Sequence, residues 1–120
     1  LEYDVDLSFQ NNQTFALSLD VNAWKPIYPL SACVFHMQVR TAPTVVPIIY
    51  AWSSNPTDLW GNGTITYTDS TGLLFFGAPY SDMIRLIPGS YFWDLELIFG
   101  TNIKVLTGGA FVITAGITLQ

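Results

Sequence analysis

An all-β fold, an antiparallel β-sandwich of about eight or nine strands, is predicted by three features of the chain. The first is the stretch Ser90–Phe99, in which Tyr91, Trp93, Leu95, Leu97 and Phe99 place a large apolar group at every second position. Side chains alternate between the faces of a strand, so this run buries one face and leaves Asp94 and Glu96 on the other. The second is composition: half of the residues are hydrophobic, 15% are aromatic and only 11% are charged. Aromatic side chains suit a pleated, half-buried surface, and so few charges argue against intrinsic disorder. The third is punctuation, because 9 glycines and 7 prolines cut the chain into short segments bounded by turns. At 120 residues, the span 1–120 is expected to be one sandwich domain.

In order along the chain, Tyr3, Val5, Leu7 and Phe9 alternate with polar residues. Asn11-Asn12-Gln13 reads as a turn, and Phe15, Leu17 and Leu19 alternate again, so these two runs are expected to form a hairpin. Residues 22–31 contain Pro26 and Pro29 and read as a loop that carries Trp24, Ile27, Tyr28 and Leu30. A strand follows over 32–40, with Cys33, Phe35, Met37 and Val39 on one face and Val34, His36, Gln38 and Arg40 on the other. Ile48–Trp52 is a short continuous apolar strand, 53–63 is loop, and Thr64–Thr68 alternates before a turn at 69–72 leads into Leu73–Gly77. The segment 79–88 is the one helical candidate, a single turn that Ser81 could cap before Pro88-Gly89 ends it. After the Tyr91–Phe99 strand, Gly100-Thr101-Asn102 is a tight turn, followed by strands over 103–106 and 110–114. The size and strand spacing are those of an immunoglobulin-like sandwich, with an open barrel as the alternative.

Charge and cysteine content narrow the function classes. The net charge is -5, and Lys25, Arg40, Arg85 and Lys104 are the only lysines and arginines. No basic stripe is available to neutralise phosphates, which argues against nucleic acid and against an anionic membrane surface. No apolar run approaches the ~20 residues of a spanning helix, so membrane insertion through helices is not expected. The sequence shows no basic region followed by an apolar one near Leu1, so no signal peptide is expected. Cys33, the sole cysteine, cannot form an internal disulfide, which suits folding in a reducing cytoplasm.

Candidate chemistry is sparse. Cys33 and His36 lie on opposite faces of one strand, so a nucleophilic dyad is not expected. Asp94 and Glu96 are ~6–7 Å apart along one face, a spacing that overlaps that of glycosidase carboxylates. They are neighbours on one strand rather than partners across a cleft, and a structural ion pair with Arg40 is the expected role if the two strands adjoin. One histidine and one cysteine cannot build a structural zinc site, and Asp4, Asp6 and Asp20 read as a solvated face rather than a calcium site. Neither metal nor cofactor is expected. Trp24, Tyr28, Trp52, Trp60 and Tyr80 lie in or beside the proline-rich connections. Such rings anchor protein interfaces, plug the ends of a sandwich, or stack on sugars.

Several short motifs carry a resemblance to a known family. They are Phe15-Ala16-Leu17-Ser18-Leu19, Trp24 with residues 26–30, Met37-Gln38-Val39-Arg40, residues 88–96 (Pro-Gly-Ser-Tyr-Phe-Trp-Asp-Leu-Glu), Leu106-Thr107-Gly108-Gly109 and Val112-Ile113-Thr114. In this order they resemble the N-terminal domains of phage baseplate upper proteins and related small prophage tail proteins. Trp93 stands where that pattern commonly has tyrosine, and residues 41–72 give no register against it. The resemblance implies a non-enzymatic virion component, assembled in the host cytoplasm, that contacts other virion proteins and copies of itself. A carbohydrate-binding sandwich is the alternative; its mark would be exposed rings along a sheet face with amide and carboxylate groups beside them.

Overall fold

The computed structural model describes residues 5–41, 48–55 and 62–116, and within them every strand belongs to one hydrogen-bonded sheet. In chain order the strands are β1 (Leu7–Gln10), β2 (Phe15–Asp20), β3 (Val34–Arg40), β4 (Ile48–Ser53), β5 (Gly63–Thr68), β6 (Leu73–Ala78), β7 (Gly89–Phe99) and β8 (Asn102–Thr114). Their spatial order is β1-β8-β7-β3-β4-β5-β6-β2. Neighbours are antiparallel except β1 with β8 and β4 with β5. Among the described residues the expectation of an all-β fold of about eight strands is met, by one curled, mostly antiparallel sheet.

The expected hairpin of the first two strands does not form. β1 lies along β8 and β2 along β6, so they occupy opposite edges of the sheet. The link Asn11–Thr14 can reach at most about 18 Å, which forces the two edges towards each other and bends the sheet nearly into a barrel. Phe15 bridges the seam: its ring lies 5.2 Å from Phe9 on β1 and 6.0 Å from Phe111 on β8. Behind it the interior is filled by Phe35, Met37 and Val39 of β3, Trp52 of β4, Leu74 and Phe76 of β6, Trp93, Leu95 and Leu97 of β7, and Phe111 and Ile113 of β8. The alternation within Ser90–Phe99 predicts this face correctly for Tyr91 to Leu97, whereas Phe99 projects past the end of the core.

Turn chemistry follows the sequence. Phe99 and Asn102 pair across a loop of Gly100-Thr101, and Gly100 has φ +63°, as a two-residue hairpin with glycine in the first position requires. Between β7 and β8 the register shifts beside Leu95, so that Thr107 opposes Leu95 and Val105 opposes Glu96. The extra residue is Leu106, and the bulge turns it into the core.

Both ends of the barrel are closed by connections. At one end, 3-10 turns at Asn22–Trp24 and Leu30–Ala32 cover the core with Val21 and Leu30. Lys25 Nζ donates to Asp69 O at 2.8 Å and Asn22 Nδ2 to Thr71 O at 2.9 Å, which ties this cover to the β5–β6 loop. At the other end lies α1 (Tyr80–Met83), whose Met83 is buried together with Leu86. Ser81 does not cap it: the residue preceding the helix is Pro79, and no side chain bonds its first turn. The segment is held instead by Asn11 Nδ2, which donates to Leu86 O at 2.9 Å, and by Tyr91 Oη, which donates to Ile87 O at 2.6 Å.

Candidate functional site

The outer face of β3 and β7 gathers the polar groups that the core pattern pushes outward. Register sets Gln38 opposite Asp94, His36 opposite Glu96, and Arg40 opposite Phe92. On the other side of β3, Ser53 of β4 stands opposite His36. On the other side of β7, Gly108 and Ala110 of β8 oppose Asp94 and Phe92, so a strip nearly free of side chains borders the cluster. A Cβ at Gly108 would lie 2.5 Å from Trp93 O, which requires glycine at this close approach of β8 to β7. Beyond β8, Asp6 Oδ1 accepts from the Ala110 N–H at 3.1 Å, and Trp93 Nε1 reaches the Val5 carbonyl at 2.7 Å.

Asp6, Gln38, Arg40, Phe92, Trp93, Asp94, Gly109 and Ala110 line a cleft of about 470 Å³ here. Gln38 is only 4% exposed although it faces away from the core. Its Nε2 lies 3.5 Å from Glu96 Oε1, and its Oε1 accepts from Arg40 Nη2. Arg40 Nε and Asp94 Oδ1 are both shielded from water and have no hydrogen-bond partner. Burial raises the Asp94 carboxyl above the usual carboxylate range, Glu96 raises it further, and Arg40 opposes them. The strand adjacency assumed for Arg40, Asp94 and Glu96 therefore holds. Arg40 acts on Asp94 as a nearby charge, while its guanidinium hydrogen-bonds to Gln38 because the register places it one pair further along the strand.

The aromatic candidates separate into different roles. Trp52 does not lie in a surface connection: it is 0% exposed on β4, packed 4.6 Å from the Tyr50 ring and 5.0 Å from Phe15. Its position in the Ile48–Trp52 apolar run was the better guide than its closeness to the proline-rich loop. Trp24 and Tyr28 are half-buried, 6.4 Å apart, and pack on the core as an end plug. Lys104 Nζ sits 5.8 Å from the centre of the Trp24 ring, which joins this plug to the β7–β8 hairpin. Tyr80 is exposed on α1. Trp60 lies outside the described residues, as do Tyr3 and Asp4.

Large apolar side chains are exposed at both ends of the barrel. Ile87 is 73% exposed, with Tyr80 and Ile84 exposed on the same segment; at the opposite end Ile27 is 62% and Ile103 64% exposed. Ile27 belongs to the proline-rich loop whose apolar residues the sequence marks for an end cover or a contact surface, whereas Ile84, Ile87 and Ile103 carry no local signal that sets them apart from core residues.

Two further groups have chemistry in principle. Ser53, His36 and Glu96 stand in one row across β4, β3 and β7. Ser53 sits on an extended strand and its Oγ accepts from the Asn55 N–H at 3.1 Å; His36 is not among the residues lining the cleft. Cys33 donates to Pro29 O at 3.3 Å, and burial raises its thiol pKa, which favours the thiol over the nucleophilic thiolate. Among the described residues no group of three or more His, Cys, Asp and Glu side chains could hold a metal ion, and no helix is long and apolar enough to cross a membrane.

Comparison with models of known protein families gives no match, and comparison with curated proteins gives none either.

Proposed function

We propose that this chain is a non-enzymatic assembly module of a phage or prophage tail, one that works through contacts with copies of itself and with other virion proteins. The observation that carries the reading is the exposure of Tyr80, Ile84 and Ile87 on one capped end and of Ile27 and Ile103 on the other. Apolar side chains exposed at the ends of a small acidic domain are candidates for contact surfaces, since fully burying an exposed one is worth about 1.5–3 kcal/mol and these have between two-fifths and three-quarters of their surface left to bury. Two such ends on one barrel allow end-to-end or ring-like association of identical subunits. The tail setting rests on the motif resemblance and on the lack of a basic surface for nucleic acid. In this reading the curled sheet plays the part of the immunoglobulin-like sandwich of the resembled modules, and the particle is built in the host cytoplasm.

Sedimentation velocity over a concentration series tests the proposal. The unmodified chain is expected to associate as concentration rises, and the double variant Ile84→Asp with Ile87→Asp is expected to remain monomeric and folded. A monomer at all concentrations for the unmodified chain overturns the reading.

A further inference from the structure

The cleft over β3, β7 and β8 has features that an assembly surface does not need. It holds a donor without an acceptor, Arg40 Nε, and an acceptor without a donor, Asp94 Oδ1. Beside them Phe92 is 41% exposed on the same sheet face, and Gly109 and Ala110 also line the cleft. We propose that this cleft binds a single neutral sugar ring, with an apolar C–H face laid on Phe92 and adjacent hydroxyls engaged by Arg40, Gln38 and Asp94 once these side chains, now shielded from water, turn towards the cleft.

Elimination supports this ligand class over others. An anion would meet the carboxylates of Asp6 and Asp94, and a cation would meet the Arg40 guanidinium. A purely apolar ligand would leave both buried polar atoms unsatisfied, which is costly. A hydroxyl donates and accepts at once, so neighbouring hydroxyls can serve a donor and an acceptor set side by side. The amide of Gln38, now bonded to Arg40, is an exchangeable partner for the same purpose. At about 470 Å³ the cleft falls within the range of small-molecule sites, and Phe92 supplies the flat apolar surface that a sugar face packs on. This inference does not rest on the assembly reading, since the cleft is on the barrel wall and the exposed isoleucines are at its ends.

Saturation-transfer NMR with glucose, galactose, mannose and N-acetylglucosamine, each added singly to the unmodified protein, tests it. At least one sugar is expected to receive saturation at the C–H protons of one ring face, with Kd about 1 mM, and to shift the backbone amides of Phe92, Gly109 and Ala110. Phe92→Ala and Asp94→Asn are each expected to weaken binding tenfold or more. Phe92 is exposed and Asp94→Asn removes a buried carboxylate, so both variants are expected to fold, and the association measured by sedimentation should be unchanged in Phe92→Ala. No saturation transfer from any of the four sugars overturns the proposal, as does binding that survives Phe92→Ala or shifts amides elsewhere. Preferential binding of methylguanidinium or inorganic phosphate at these amides overturns it as well.

Discussion

Substituting Gly63 with alanine tests how tightly the interior is packed where β4 meets β5. A Cβ on Gly63 would lie 2.7 Å from Trp52 Cγ and nearer still to Cδ1 and Nε1. The indole cannot retreat, because Tyr50 and Phe15 hold it from two sides at 4.6 and 5.0 Å and it has no solvent exposure. Overpacking of this kind costs about 1–3 kcal/mol, offset in part by about 0.4–1 kcal/mol from the less flexible unfolded chain. In a domain of this size each kcal/mol moves Tm by about 3–6 °C, so Gly63→Ala should melt several degrees lower. The decisive comparison is with Trp52→Val, which removes Cδ1 and the unpartnered Nε1, the two atoms nearest the added methyl. In that background the alanine should lose more than half of its cost, read from urea midpoints as a double-mutant cycle. Equal cost in both backgrounds, or no cost in the unmodified chain, would refute the packing described for β4 and β5.

Further outcomes follow from the polar contacts. Asp94 has its pKa raised from 3.8 by burial and by Glu96, so the folded state prefers it protonated; stability from this group is fully present below pH 3.8 and is lost as pH rises through the raised value. Asp94→Asn should therefore increase the urea midpoint at pH 7, with a gain that shrinks as pH falls towards 3.8, while Asp6, Glu96, Arg40 and His36 remain to face the site. Asn11→Ala removes the 2.9 Å bond to Leu86 O and a 3.3 Å bond from the Gly116 N–H, and should cost about 1–3 kcal/mol by thermal melting. Tyr91→Phe removes only the 2.6 Å bond to Ile87 O, so a smaller loss of about 0.5–1.5 kcal/mol is expected, with faster amide exchange over residues 84–87.

Periodicity made faces legible and left partners unread. The run Tyr91 to Leu97 shows its buried side in the sequence because burial of one face of a strand obliges a period of two. The same rule assigns faces within residues 34–40 and 15–19, and the glycine after Phe99 marks its turn. Nothing local, however, states which strand lies beside which. A short polar link between two alternating runs suggests a hairpin, yet Leu7–Gln10 and Phe15–Asp20 pair with β8 and β6 at opposite edges. Long-range ladders, including the parallel pairs, are chosen by the closing of the whole core. The same limit hid the site: Gln38 reads as a surface amide, and becomes buried only because β7 and its own neighbours crowd the outer face. Arg40, Asp94 and Glu96 could be flagged from charge alone, but the displacement of Arg40 onto Gln38 depends on a register that one sequence does not display.

Hydrogen–deuterium exchange on the unmodified protein, compared between dilute and concentrated samples, probes the proposed function at its contact surfaces. An assembly module should show slower exchange on concentration over residues 80–87, over 24–28 and 101–105, or over both ends, with the β3–β7 ladder unchanged. Exchange that is identical at all concentrations, or that slows only along the outer face of β5 and β6, would contradict an assembly role carried by the two capped ends.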